Sequence, residues 1–289
     1  GYVMKYDPRL DNIYEPSEFP SFTAILVVQI IMGMLGWYTR CVRPDICFHV
    51  AALQQRCHSW CKKCDFAMSE LISYVRDTSN HGLTLAYNTK DTRLKVTIAT
   101  DADLHAPKSQ SCYFLAVMGE HGSWMPLDFA STKQKVTSNS TPMSETISAA
   151  NAIQQVGLFA SEVQQLLDVI TGYTPLDEWK GEIYHRIPIM VDAKELERQG
   201  RQPSKRVITK LCSRLARDQL VFLSEEDLIQ MRWIISRLNP SDIGTKLHDS
   251  IITLRKLCGM YQPIDSNEIE FQFVPLPEIK EMIDAFYHA

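Results

Sequence analysis

The chain opens on a polar stretch, residues 1–20, with prolines at 8, 16 and 20, and then turns apolar. From Phe22 to Tyr38 the run is interrupted by Thr23, Gln29 and two glycines, and it predicts a helix over about 21–38. Further helices are expected over 45–59 and 61–76. Pro44 suits a first helical turn, Asp45 its positive end, and Phe66, Leu71, Ile72 and Val75 recur at helical spacing. Near residue 82 the period falls to two. Leu83–Tyr87 and Leu94–Thr100 alternate as strands do, and runs at 111–118 and 123–130 flank Gly119-Glu-His-Gly122, a hairpin signal. A long helix fits 143–170, a short strand Ile187–Val191, a short helix Lys194–Gln199, a helix about 204–220, a strand 231–236 and a helix about 240–260. Prolines 263, 275 and 277 precede an amphipathic piece, Ile279 to Tyr287, suited to docking on a partner. The pattern divides the chain into a mainly helical segment, 1–88, an alternating α/β segment, 89–262, and an extension, 263–289.

Four carboxylates depart from the usual solvated placement. Asp101 closes a strand apolar enough to be central, where α/β sheets place ligands, and Asp103 shares its parity. Glu145 falls on the apolar stripe of the long helix, with Ala149, Ile153, Val156, Ala160, Val163, Leu167 and Ile170. Asp192 ends the apolar run Ile187–Val191, and Asp242 lies in a helical first turn after Asn239 and Pro240. Each has a plainer explanation: a turn aspartate, a dipole-favoured acid or a helix N-cap. Taken together they can converge on one cleft. Two charges ~4 Å apart repel by about 4 kcal/mol at an effective dielectric near 20, so such a set calls for cations. Oxygen donors favour Mg²⁺ or Mn²⁺, and two such ions make a phosphoryl-transfer centre.

Composition narrows the partners. The 289 residues are 45% hydrophobic and 22% charged, enough for a packed core. A net charge of −4 and a pI of about 6.1 exclude a grossly basic nucleic-acid binder but leave room for local patches. Mean hydropathy is −0.16, and no uninterrupted apolar run reaches ~18–20 residues, so no membrane partner is expected. Gly1 in place of Met suggests a processed product or a fragment. Eight cysteines in a chain this long read as reduced thiols of an intracellular protein. Cys57, Cys61 and Cys64 share a helical face while His58 lies about 100° from Cys57, which favours packed thiols over zinc. Trp124 and Trp233 are expected in the core, and Asn139-Ser-Thr141 matches a glycosylation sequon with no secretory signal beside it. Lys133, Lys135, Lys205, Arg206, Lys210, Arg214 and Arg217 form two basic clusters that can hold phosphates.

In this order the motifs resemble the C-terminal part of Copia-type LTR retrotransposon reverse transcriptases, the connection region followed by ribonuclease H. Arg43-Pro-Asp-Ile46 is similar to that connection region's motif. Thr100-Asp-Ala-Asp103 matches its strand-ending motif, Lys133-Gln-Lys135 leads to the helix that opens with Glu145, Val191-Asp192-Ala193 ends the next strand, and Ser241-Asp-Ile-Gly-Thr-Lys246 closes the set. The resemblance covers about residues 25–262. Where the family usually has Glu-Ala-Glu, this chain has Met143-Ser-Glu145, and a mobile His that many ribonucleases H carry before the last Asp has its nearest counterpart in His248. The resemblance implies a ribonuclease H-like mixed sheet flanked by helices, preceded by a mainly helical connection-like region. It implies cleavage of the RNA strand of RNA–DNA hybrids, with Asp101, Glu145, Asp192 and Asp242 holding Mg²⁺ or Mn²⁺. Lys133, Lys135, Lys205, Arg206 and Lys210 would bind the hybrid, or structured RNA. The alternative expectation is a domesticated, catalytically silent module whose termini dock on protein subunits of a larger assembly.

Overall fold

In the computed structural model, residues 22–104, 108–172, 186–201, 211–245, 251–261 and 277–287 are described. The elements are α1 Phe22–Val42, α2 Cys47–Gln54, α3 Lys62–Asp77, β1 Gly82–Leu83, β2 Leu94–Asp103, β3 Gln110–Gly119, β4 Trp124–Lys133, α4 Thr141–Ile170, β5 Ile187–Val191, α5 Lys194–Arg201, α6 Leu211–Glu225, β6 Ile229–Trp233, α7 Ile251–Leu257, β7 Met260–Tyr261 and α8 Pro277–Tyr287. Five strands form one sheet in the order β4-β3-β2-β5-β6. β2, β3 and β4 run antiparallel as a meander, and β5 and β6 continue the sheet parallel to β2. The class is thus mixed α/β, the one expected from the sequence.

The pattern explains the order. β3 is buried at every position, so it lies inside the sheet. The β3–β4 turn closes on Asp91, whose carboxylate accepts from the backbone N–H of His121 at 2.6 Å and of Ser123 at 2.9 Å. Gly122 takes φ 107°, which its missing Cβ permits. A parallel return from β4 to β5 needs a long crossover, and α4 supplies it.

Three apolar clusters surround this frame. On one face Val96, Ile98, Leu115 and Val117 pack with Ala149, Ala152, Val156 and Ala160 of α4. On the other, Ala99, Phe114, Ala116 and Met190 pack with Ile243, Leu257, Met282 and Phe286. The third joins Val28 and Met32 of α1 to Leu53, Trp60, Leu71 and Tyr74. α8 therefore buries its apolar face in this chain, whereas the sequence offered that face to a partner. Arg237–Glu281 and Lys256–Glu278 ion pairs hold it there.

Several boundaries shift for local reasons. Pro44–Ile46 is a 3-10 turn, and α2 ends at Gln54 rather than running from 45 to 59. Of the expected strand Leu83–Tyr87, only Leu83 joins the two-residue β1 that pairs with β7, and Ala86 adds one bridge to Trp124. The stretch 240–260 divides into a 3-10 turn, Pro240–Gly244, and α7. Ile170 is exposed at the end of α4, beyond the sheet its stripe covers. The interruptions in the first apolar run lie within one helix. Ala24–Val42 is long and apolar enough by length and composition to cross a membrane, and 17% of that window is buried. Val28 and Met32 face the helical core, and Leu26, Val27, Ile30, Met34 and Trp37 are exposed.

Candidate metal centre

β2 and β5 are parallel neighbours, with Ile98 opposite Ile189 and Ala99 opposite Met190. Extending that register puts Asp101 beside Asp192, one strand spacing of about 4.8 Å away. Asp101 shares parity with Ala99, on the face covered by the 3-10 turn Pro240–Gly244. Glu145 comes from the first turns of α4, which are tied to the same end of the sheet. Ser148 Oγ donates to the Asp101 carbonyl at 2.7 Å, and the Gln134 side-chain amide donates to the Ser144 carbonyl at 2.8 Å.

These restraints bring one ligand oxygen from each of Asp101, Glu145 and Asp192 within 4.8 Å of one another. Asp101 and Glu145 are buried and Asp192 is half-buried. At that separation each pair of charges repels by about 3 kcal/mol at an effective dielectric near 20. All donors are carboxylate oxygens, a set that suits a hard divalent cation. The trio can therefore hold such an ion.

Asp242 is buried but stands outside this trio. It sits in the 3-10 turn, where its Oδ2 accepts from Ser236 Oγ at 3.3 Å. Asn239 organises the turn. Its Oδ1 accepts from the Ser241 N–H at 3.2 Å, and its amide donates to the Thr100 carbonyl at 3.0 Å, joining the turn to β2. Asp103 is half-buried at the strand end and is not part of the trio.

Of the basic residues, Lys133 pairs with Gln110, which pairs with Asp103, so Lys133 lies at the carboxylate end of the sheet. Lys135 follows it, and both are exposed. Lys205, Arg206, Lys210 and His248 lie outside the described residues. Arg217 turns to its neighbour Asp218 at 2.8 Å. Cys57, Cys61 and Cys64 are free thiols within the helical core, with the Cys61 and Cys64 sulfurs 3.7 Å apart. Among the described residues the candidate metal group is the carboxylate trio. Cys57 lies in the turn after α2 and Cys61 just before α3, so of the three only Cys64 is helical and the expected shared helical face does not form.

Four residues support the site in ways the sequence does not show, although Asn239 caps the Pro240 turn as its position suggests. Thr245 Oγ1 donates to Asp101 Oδ2, and Ser148 and Asn239 grip the backbone of β2. Trp233 is half-buried rather than core. Its indole N–H donates to the Asp192 carbonyl at 3.0 Å, and Lys194 Nζ lies 4.4 Å from the centre of its ring system. Thr245 was already part of the quoted Ser241–Lys246 motif, but its partner is 144 residues away in sequence.

Gly244 sets how closely the turn approaches. A Cβ there would lie 2.3 Å from Cys112 Sγ and 3.1 Å from Cys47 Sγ. Cys112 is the β3 partner of Asp101, so this contact seats the turn against the site. Gly244→Ala is expected to lower stability by about 1–3 kcal/mol through overpacking. Denaturant unfolding checks it; an unchanged midpoint would show that the turn can shift freely.

Neither family models nor curated proteins match this chain. Similar solved structures include LC11-RNase H1 in complex with an RNA/DNA hybrid, at TM-score 0.36 and 12% identity, covering 52% of this chain and 94% of that one. An N-terminal RNase H domain from Mycobacterium tuberculosis, solved as a maltose-binding-protein fusion, gives TM-score 0.35 and 12% identity over 56% of this chain and 97% of that one. The foamy viral protease–reverse transcriptase in complex with an RNA/DNA hybrid gives TM-score 0.38 and 11% identity, covering 80% of this chain and 26% of that one. These values say nothing about activity. The fold class rests on the strand order and directions of the chain itself.

Proposed function

We propose that this chain is a divalent-metal-dependent, ribonuclease H-type endonuclease of retroelement origin that cuts the RNA strand of RNA–DNA hybrids. The observation that carries this reading is the convergence of Asp101, Glu145 and Asp192, from β2, α4 and the end of β5, within 4.8 Å. A local sequence effect would not bring acids from three elements together. Mg²⁺ or Mn²⁺ suits their oxygen donors and, when bound, supplies an activated water and charge neutralisation. Asp242, buried in the adjoining turn, is the fourth acid of the proposed site. Lys133 and Lys135, exposed at the same end of the sheet, are proposed to contact backbone phosphates, and Lys205, Arg206 and Lys210 to extend that contact.

The motif order from Arg43 to Lys246 supports a Copia-type origin, with 1–88 as connection-like region, 89–262 as the ribonuclease H-like domain and 263–289 as extension. The free thiols fit an intracellular setting. The test is cleavage of a labelled RNA–DNA hybrid in Mg²⁺ or Mn²⁺, beside Asp192→Asn. RNA-strand products from the wild type, absent with the variant, are expected. No cleavage by folded chain in either metal would overturn the enzyme reading and leave a silent, nucleic-acid- or protein-binding module.

A further inference from the structure

We infer that Thr245 is a positioning residue for the metal site, fixing the Asp101 carboxylate so that it can meet Glu145 and Asp192 around one cation; this rests on the metal-dependent reading above.

Thr245 is fully buried at the end of the 3-10 turn, and its Oγ1 hydroxyl donates to Asp101 Oδ2. The same Oγ1 lies 3.3 Å from the Asp242 carbonyl. One hydroxyl hydrogen serves one acceptor, and the charged carboxylate is the stronger. The Asp242 carbonyl is supplied separately by the Thr245 backbone N–H at 3.3 Å. The hydroxyl is thus committed to Asp101.

Its direction is fixed as well. A β-branched side chain is stiff at χ1. The turn behind it is anchored at two points: the Asn239 amide on the Thr100 carbonyl at 3.0 Å, and Gly244 seated on Cys112. Both anchors touch β2 or its direct partner within one residue of Asp101. Three like charges this close favour rotamers that turn them apart, and a fixed donor on one oxygen opposes that for Asp101. Outer partners of metal-binding carboxylates commonly change metal affinity by ~10–100-fold.

The experiment uses the full chain with Mn²⁺ as probe, measuring its dissociation constant from the paramagnetic resonance of the free ion. Thr245→Val removes the hydroxyl at nearly constant shape, and Thr245→Ser keeps it. Weakening of about 10–100-fold in Val and recovery to within about threefold in Ser are expected. A structural role alone would lower the melting point of the metal-free variants without separating Val from Ser in Mn²⁺ affinity. Equal Mn²⁺ affinity in wild type and Thr245→Val overturns the inference and leaves the metal reading intact. If wild type and Asp192→Asn both fail to bind Mn²⁺, the metal reading falls and this inference with it. Should Thr245→Val not fold, Thr245→Ala makes the same deletion without added bulk and is held to the same outcomes.

Discussion

Asp45→Ala is expected to destabilise the chain by about 3–5 kcal/mol, the cost of leaving a buried charge without its partner. Asp45 and Arg43 are both fully buried. Arg43 Nε donates to one carboxylate oxygen at 2.8 Å and Nη2 to the other at 2.9 Å, a two-point fork. Tyr74 donates its phenol to Asp45 at 2.6 Å, and Arg255 of α7 lies 3.6 Å from the same carboxylate and bonds Tyr74. Arg43 also donates to the Thr78 carbonyl at 3.1 Å. Burial opposes the Arg43 charge, but Asp45 outweighs it and holds the guanidinium more basic than usual. Burial and then Asp45 push the Tyr74 phenol up, so it stays a donor. The cluster joins the helical segment to α7. Removing Asp45 strands Arg43 and loosens both sides of that junction. For a chain this size the loss corresponds to about 6–20 °C in melting temperature. A thermal melt read by circular dichroism checks it, and a loss below about 1 kcal/mol would mean that water or another group reaches Arg43. Asp45→Asn, which keeps the shape and part of the bonding, should fall between.

Glu145→Gln is expected to move stability and activity in opposite directions. Without metal, the variant removes one of three mutually repelling charges from a buried position. Each such pair is worth about 3 kcal/mol at an effective dielectric near 20, before neighbouring donors are counted, so a gain of about 1–3 kcal/mol is expected in chelator. With metal the order reverses. Mn²⁺ is expected to stabilise the wild type by mass action and the variant little. Hydrolysis of the hybrid should fall at least ~100-fold, because ion-based charge stabilisation is worth several kcal/mol. Paired melts in chelator and in Mn²⁺, with the cleavage assay beside them, read all three effects. Unaltered stability in chelator together with full activity would remove Glu145 from the site.

How much of this was legible in the sequence differs by element. The inward position of Glu145 followed from its place on the stripe with Ala149 and Val156, because helical period alone decides which residues share a face. Asp101 and Asp192 were legible as strand ends, since an apolar run that stops at an acid marks where the chain leaves the core. Arg43 and Asp45 were visible as a motif, but Asp45 looked like an acid at a helix start rather than the centre of a buried cluster. The partners that make it so, Tyr74 and Arg255, are 29 and 210 residues away (255 − 45).

The sequence by itself determined most of the element types, the mixed α/β class and the residue types at the candidate site, because period, turn residues and strand ends are local properties. Tertiary structure decided which acids meet. The β2–β5 register sets Asp192 beside Asp101, the anchoring of Ser144 and Ser148 swings Glu145 to them, and the seating of Gly244 on Cys112 brings Thr245 against Asp101. It also turned the amphipathic α8 from a free docking face into part of the core. These outcomes depend on packing between segments far apart in the chain, and a local pattern carries no record of which distant surface will cover it.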